Sequence, residues 1–158
     1  MNEQQLIFME RAVELSRQGM QGGKGGPFGC VIVKDGRIVG EGCNQVTSSN
    51  DPTAHAEVVA IRNACQVLQT FQLQGCEIYT SCEPCPMCLG AIYWARPDRI
   101  YFANTRQDAA DIGFDDSFIY DEIPLPLQAR KIPMIPLGRE VAAAAFREWK
   151  EKTDKTAY

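Results

Sequence analysis

Apolar side chains recur at helical intervals near the start of the chain. Leu6, Met9 and Val13 are spaced three to four residues apart within a segment that also carries charged residues. This spacing places the three side chains on one face of a helix, so we predict an amphipathic helix over residues 2–20. The glycine-rich residues 21–29 end the pattern.

Two runs rich in β-branched residues follow, at residues 28–34 and 37–41. The pair Asp35-Gly36 separates them and is typical of a two-residue hairpin turn. We therefore predict two antiparallel strands joined by a tight turn. The polar residues 42–51 that come next are predicted to form a loop.

A helix and a strand–helix–strand unit are predicted in the middle of the chain. Asp51-Pro52 is a good helix start, and apolar spacing extends that helix to about Gln69. The following unit consists of a strand over residues 77–81, a helix that begins near Pro86, and a strand over residues 99–103. Because a helix joins the two strands, we expect them to be parallel.

The chain changes character after Asn104. Residues 104–122 carry six acidic side chains and one arginine, and the next segment contains prolines at positions 124, 126, 133 and 136. These prolines predict an extended, irregular connection with room for a short edge strand, before a final helix over residues 139–152. We interpret residues 1–158 as a single α/β domain with helices on both faces of a sheet.

Composition narrows the classes of function. The chain has 158 residues, 45% of them hydrophobic, and a net charge of −4, which is typical of a globular domain. This charge argues against affinity based on general neutralisation of phosphates, so nucleic acid is not the expected partner. The longest nearly uncharged apolar run, residues 87–95, is half of what a membrane span needs. No secretory signal is evident, and we expect a cytoplasmic protein that does not bind membranes.

The candidate chemistry centres on the single histidine, His55, and on a cluster of cysteines at positions 82, 85 and 88. In a reducing compartment, clustered cysteines indicate metal or redox chemistry before they indicate disulfides. His55, Cys85 and Cys88 supply three ligands suited to zinc. Three protein ligands leave a fourth position for water, which marks a catalytic site.

Glu57 follows His55 by two residues, at the predicted start of a helix. In the first helical turn both side chains can reach a centre that lies off the helix end. Glu57 need not be a ligand, because a carboxylate beside a metal-activated water can take its proton and deliver it elsewhere.

Two other interpretations of these residues stay open from the spacing alone. Cys85-Pro86-Met87-Cys88, after a strand and before a helix, is also the arrangement of a thioredoxin-like redox pair. A structural zinc module would need a fourth protein ligand, which Cys82 would have to supply. Otherwise we predict that Cys82 is a core side chain or lies behind the ligands.

The two motifs His55-Ala56-Glu57 and Pro84-Cys85-Pro86-Met87-Cys88 resemble the signature of the zinc-dependent cytidine deaminase superfamily. Within it, the chain looks most like the small bacterial guanine deaminases. This closer resemblance runs through residues 26–29, Asn44, residues 49–57, 79–97 and 113–120, and the terminal Tyr158.

The resemblance implies a three-layer α/β/α sandwich with a mixed five-stranded sheet. It also implies one zinc per chain on His55, Cys85 and Cys88, with Glu57 as the proton shuttle for conversion of guanine to xanthine and ammonia. Proteins of this kind are similar in forming homodimers, in which the C-terminal part of one chain, here residues 123–158, is exchanged and covers the partner's site. Asp116 and Tyr158 would then complete the pocket of the partner chain.

The chemistry of the expected pocket is consistent with guanine. An ionised Asp116 only accepts hydrogen bonds, which suits the N–H-rich edge of guanine better than adenine. Asn44 offers both a donor and an acceptor, and Phe28 and Phe114 could stack on a flat base. The alternatives are a tRNA adenosine deaminase, which the negative charge disfavours, and a deaminase of another small base or an aminotriazine.

Overall fold

The structure is a computed structural model that describes residues 2–158. The chain forms two compact units: the first ends at Asp116, and the second comprises Ser117–Tyr158. No helix within residues 2–158 is long and apolar enough to cross a membrane.

A mixed β-sheet lies at the centre of the first unit. Its strands are β1 (Gly29–Lys34), β2 (Arg37–Cys43), β3 (Cys76–Cys82) and β4 (Arg99–Asn104), in the spatial order β2-β1-β3-β4. Strand β1 pairs antiparallel with both β2 and β3, whereas β3 and β4 are parallel. The predicted hairpin and the predicted parallel pair are both confirmed.

The expected five-stranded sheet is wrong for this chain, because the sheet described within residues 2–158 has four strands. The proline-rich connection that had room for an edge strand contains only a 3-10 turn, Leu127–Ala129. Proline has no backbone N–H to donate to a strand ladder, and four prolines fall between residues 124 and 136. Strand β4 is therefore an edge of the sheet.

Helices cover both faces of the sheet within the first unit. Helix α1 (Glu3–Gln21) packs on one face, and α3 (Ala56–Leu68) and α4 (Pro86–Ala95) pack on the other. Side chains of a strand alternate between faces, so β1 contributes to two separate apolar clusters. Val31 and Val33 contact the α1 side, whereas Cys30 and Ile32 contact the side of α3 and α4.

Two predictions about helix positions need correction. The residues predicted as a polar loop include a short helix, α2 (Val46–Ser49). Helix α3 begins at Ala56 rather than at Asp51-Pro52, because Oδ1 of Asp51 accepts hydrogen bonds from the backbone and hydroxyl of Thr53. This local turn uses the aspartate where a helix cap was expected.

The remaining helices are short or exposed. Helix α5 (Arg106–Asp111) follows β4 in the first unit, and the second unit contains α6 (Ser117–Glu122) and α7 (Arg139–Glu151). Helix α7 confirms the final helix predicted from the sequence. None of the residues described in the second unit is buried, although this unit is rich in large apolar side chains.

Candidate metal centre

His55 and Cys85 occupy equivalent positions on two helices. His55 is the N-cap residue of α3 and Cys85 is the N-cap residue of α4, and both have extended backbone conformations. Pro86 takes the first helical position after Cys85, where its missing N–H leaves no partner unsatisfied. Cys88 lies in the first turn of α4, so both helix ends present candidate ligands.

The three candidate ligand residues converge. Nδ1 of His55 lies 3.6 Å from Sγ of Cys85 and 3.5 Å from Sγ of Cys88. All three ligand atoms fall within 4.8 Å of one another, and no other His, Cys, Asp or Glu residue among residues 2–158 joins such a group. Cys82 lies outside it: the Cys82 side chain is buried, and its thiol donates to the carbonyl oxygen of Thr105.

The side chains of His55, Cys85 and Cys88 shift one another's pKa values, because they lie close together. The hydrogen bond from Cys88, followed by that from His55, lowers the pKa of Cys85 to about 4. The interaction with the Cys85 side chain, followed by burial, raises the pKa of Cys88. The hydrogen bond to Cys85 also raises the pKa of His55. Binding of a divalent cation would displace the protons that these three groups share.

This donor set fits zinc. One imidazole nitrogen and two sulfur atoms are ligands that zinc prefers, and three protein ligands are the number found in catalytic sites. The convergence favours a metal centre over the redox pair, since a redox pair needs no imidazole within 3.6 Å of both sulfur atoms. With Cys82 outside the group, the structural zinc module lacks its fourth protein ligand.

Glu57 lies beside the candidate ligands without joining them. Its side chain is 6% exposed, and burial raises the pKa of its carboxyl group. Oε2 accepts a hydrogen bond from Sγ of Cys88 at 3.4 Å, and Oε1 accepts one from Oγ1 of Thr80 at 3.2 Å. The carboxyl group is therefore held next to the site where a metal would bind.

Phe28 and Phe114 contact each other in the first unit. Their ring centroids are 4.9 Å apart, and the rings are perpendicular. The two aromatic residues that were singled out from the sequence are therefore brought together.

Asp116 lies in the same unit, where burial and then the negative charge of Cys85 raise the pKa of its carboxyl group. The expectation that Asp116 completes the pocket of the partner chain stays a prediction.

Asn44 is buried, and its side-chain oxygen is already engaged. Oδ1 accepts hydrogen bonds from the backbone N–H groups of Gly26 and Val46, at 3.3 and 3.1 Å. The expectation that Asn44 offers both a donor and an acceptor to a substrate needs correction, because these two bonds use the acceptor. The amide nitrogen remains as the group that can donate.

The glycine-rich loop makes this arrangement possible. A Cβ atom at Gly25 would lie 2.1 Å from Oδ1 of Asn44, and one at Gly26 would lie 2.8 Å from the ring of Phe114. The sequence alone did not connect this loop with Asn44 or with Phe114. Two adjacent glycines shortly before a strand were the available signal, but glycine alone does not reveal which side chain fills the space.

Tyr158 belongs to the second unit, where its side chain is 71% exposed. Its contribution to a pocket stays a prediction.

Thr80 was not singled out from the sequence, although its hydroxyl group donates a hydrogen bond to Glu57. Side chains alternate between the two faces of β3, and Thr80 falls on the face that packs in the apolar core. A polar residue at such a position was the feature of the sequence that could have indicated its role.

Comparison with known proteins agrees with this site. Residues 2–104 match the model of the cytidine and deoxycytidylate deaminase zinc-binding region. The chain is 56% identical over 151 residues to the guanine deaminase of Bacillus subtilis (strain 168), across 96% of this chain and 97% of that relative. The X-ray structure of guanine deaminase from Bacillus subtilis aligns with a TM-score of 0.95 and 55% identity, covering 100% of this chain and 99% of that chain.

A second relative aligns with a smaller part of this chain. The tRNA-specific adenosine deaminase of Aquifex aeolicus (strain VF5) is 40% identical over 96 residues, which cover 61% of this chain and 63% of that relative. The family match includes His55, Glu57, Cys85 and Cys88, the residues that converge in the structure. The chain belongs to the zinc-binding cytidine and deoxycytidylate deaminase family.

Proposed function

We propose that this protein is a zinc-dependent guanine deaminase, which hydrolyses guanine to xanthine and ammonia. The observation that carries the proposal is the 56% identity to a guanine deaminase across nearly all of both chains, together with the buried Glu57 beside three converging ligands. The alignment with the guanine deaminase covers 96% of this chain, whereas the alignment with the tRNA-specific enzyme covers 61%.

Charge favours a small base over tRNA as the substrate. Proteins that bind nucleic acid use basic side chains to contact phosphates, and the affinity rises with the number of those contacts. This chain has a net charge of −4, and residues 104–122, which include Asp116, carry six acidic side chains. A neutral purine does not require phosphate contacts, so these acidic residues do not oppose its binding.

In the proposed site, His55, Cys85 and Cys88 hold the zinc ion. When bound there, zinc supplies Lewis acidity, which lowers the pKa of a water molecule towards about 7. Glu57 accepts a proton from the attacking water and delivers it to N3 of guanine, while C2 becomes tetrahedral. Glu57 then takes the proton of the hydroxyl group added at C2 and transfers it to the amino nitrogen, so that the C2 carbonyl of xanthine forms as ammonia leaves. Its position at 3.4 Å from Sγ of Cys88 supports this role.

Four residues are proposed to recognise the base. Asp116 accepts hydrogen bonds from the N–H-rich edge of guanine, and the amide nitrogen of Asn44 donates to an acceptor atom of the ring. Phe28 and Phe114 provide one ring face and one ring edge, because they lie perpendicular to each other. Such a mixed aromatic wall contacts a flat base from two directions.

Residues 123–158, which make up most of the second unit, are proposed to be exchanged between the subunits of a homodimer. Their apolar side chains are largely exposed in a single chain: Leu137 is 95% exposed, and Ile135 and Phe146 are each 82% exposed. Exposed apolar surface of this extent is typical of an interaction site. We propose that residues 123–158 cover the partner's site, with Tyr158 completing its pocket.

A cytoplasmic location is proposed on the basis of cysteine chemistry. All seven cysteines lie among the described residues and are free thiols. Such a set is compatible with a reducing compartment, in which the candidate zinc ligands stay available.

An ammonia-release assay tests the proposed activity. We expect turnover of guanine, and much slower or no turnover of adenine, cytosine, an aminotriazine or tRNA. Glu57→Ala, prepared in the same way, is the control for contaminating deaminases. Faster turnover of any other substrate, or equal rates for the parent and Glu57→Ala proteins, would overturn the proposal.

A further inference from the structure

Thr80 places a hydroxyl group in the apolar interior. Side chains alternate along β3, so Thr80 points to the same face as Ile78, which packs with α3 and α4. Its side chain is only 1% exposed. An apolar residue would be expected at this position, and a buried hydroxyl group needs a hydrogen-bond partner.

The partner of this hydroxyl group is Glu57. Oγ1 of Thr80 donates a hydrogen bond to Oε1 of Glu57 at 3.2 Å. The other carboxyl oxygen, Oε2, lies 3.4 Å from Sγ of Cys88. Strand β3 pairs with a neighbour on each side, through Cys30 and Phe102 at the level of Thr80. The donor is therefore attached to a firmly held part of the sheet.

This arrangement matters because the Glu57 side chain has three rotatable bonds, whereas Thr80 is β-branched and restricted about χ1. We propose that Thr80 is a positioning residue, which holds Oε1 of Glu57 so that Oε2 faces the metal ligands. The inference deepens the proposed function, because the group that Thr80 orients is the proposed proton shuttle. A displacement of about 1 Å in a reacting group can reduce a rate by about 100-fold.

Thr80→Val tests this role, because valine keeps the branched shape and removes the hydroxyl group. We expect kcat for guanine to fall by about 10- to 100-fold, with KM changed by less than about threefold and zinc content unchanged. Thr80→Ser restores the hydroxyl group and should return kcat to within about fivefold of the parent. A Thr80→Val enzyme with the parent's kcat, or a Thr80→Ser enzyme as slow as Thr80→Val, would overturn the proposal.

A double-mutant cycle separates positioning from a general structural effect. In the Glu57→Ala background, Thr80→Val should change the residual rate by less than about twofold, because the group that Thr80 orients is absent. If the two losses multiply in full, Thr80 does not act through Glu57. Thr80→Ala, which also lacks the hydroxyl group, replaces Thr80→Val throughout if the valine variant does not fold.

Thermal unfolding gives a readout that needs no turnover. The decrease in Tm caused by Thr80→Val should be smaller in the Glu57→Ala background than in the parent, and equal decreases would contradict the contact. If the parent releases no ammonia from guanine, the proposed function fails, and this thermal cycle still decides whether Thr80 holds Glu57.

Discussion

Nδ1 of His55 and Sγ of Cys85 lie 3.6 Å apart, and each residue is the N-cap of its own helix. An N-cap side chain ordinarily accepts a hydrogen bond from the backbone of its own helix. Within the described chain, neither of these side chains makes such a bond. Both lie instead in the group of atoms that could hold a metal ion, so the two helix ends form a candidate metal site rather than two ordinary caps.

Loss of a candidate ligand should release zinc. We expect the purified protein to contain one zinc per chain, and Cys85→Ser to weaken zinc binding by about 10-fold or more. Metal analysis after dialysis against a weak chelator measures this. Cys65→Ser is the matched control, because Cys65 is on α3 but outside the ligand group. Equal zinc contents in the two variants would argue against the assignment.

Glu57→Ala should separate catalysis from metal binding. Removal of a general acid–base residue commonly reduces a rate by about 100- to 10,000-fold. We expect a loss of kcat in this range with zinc content retained, because Glu57 is outside the ligand group. Glu10→Ala on the exposed face of α1 serves as the control. Normal turnover by Glu57→Ala would exclude Glu57 as the proton shuttle.

Asp116→Asn should affect recognition of the base and leave the metal in place. The substitution replaces one acceptor oxygen by a donor, so we expect kcat/KM for guanine to fall by about 10-fold or more. Steady-state kinetics and zinc analysis test this. Asp115→Asn changes the neighbouring carboxyl group and should keep the parent's kcat/KM. If the two variants behave alike, the acceptor role of Asp116 is wrong.

Deletion of residues 153–158 should lower guanine turnover without loss of zinc, because it removes Tyr158 from the proposed lid.

A mixing experiment with the deleted protein then tests exchange between chains. Glu57→Ala chains have an intact tail, whereas the deleted chains have an intact Glu57. Activity recovered after the two are unfolded and refolded together would show that the tail acts on the partner's site.

The lack of any recovery in that mixture, with both variants folded and dimeric by size-exclusion chromatography, would mean that each tail serves its own chain. Full activity of the deleted protein alone would show that the last six residues are not needed for turnover.

The ion pair between Arg11 and Glu41 should contribute to stability in a pH-dependent way. Two hydrogen bonds, at 2.7 and 3.0 Å, join the guanidinium group to the carboxylate and lower the pKa of Glu41 below its usual value of 4.5. A carboxyl group with a lower pKa in the folded state stabilises the fold above its unfolded pKa, and this contribution is lost as pH falls through the folded pKa.

We therefore expect Glu41→Gln to lower Tm at pH 7 and to reduce the fall in Tm between pH 5 and pH 3. Thermal unfolding at a series of pH values measures both effects. Glu10→Gln, on the same helix as Arg11 and exposed, should follow the parent. A parallel fall in Tm for the parent and Glu41→Gln would contradict the assigned pKa shift.

The sequence was most informative where one short segment determines the structure. Asp35-Gly36 indicated the hairpin, and Pro86 after Cys85 indicated a helix start, because both signals act within a few residues. Asp51-Pro52 was misleading for the opposite reason. Aspartate can cap a helix or close a local turn, and the nearby Thr53 supplies donors that favour the turn.

The site shows the same division between local and distant effects. The ligands were predictable, since residue type and spacing restrict what can bind zinc. The contact between Thr80 and Glu57 joins residues 23 positions apart, and the direction of the Asn44 amide depends on a loop 18 residues away. Such contacts depend on how strands and loops pack, which the pattern along the chain does not specify.

The bonds from Gly26 and Val46 to Asn44 fix the direction of the hydrogen bond that its amide nitrogen is proposed to donate to the base. Since the backbone holds Oδ1, exchange of the side-chain NH2 group for an oxygen atom would reverse the polarity of that single contact and keep its geometry. At this proposed contact, a change of one atom would therefore alter the preference among bases, whereas a Cβ atom at Gly25, 2.1 Å from Oδ1, would displace the Asn44 side chain.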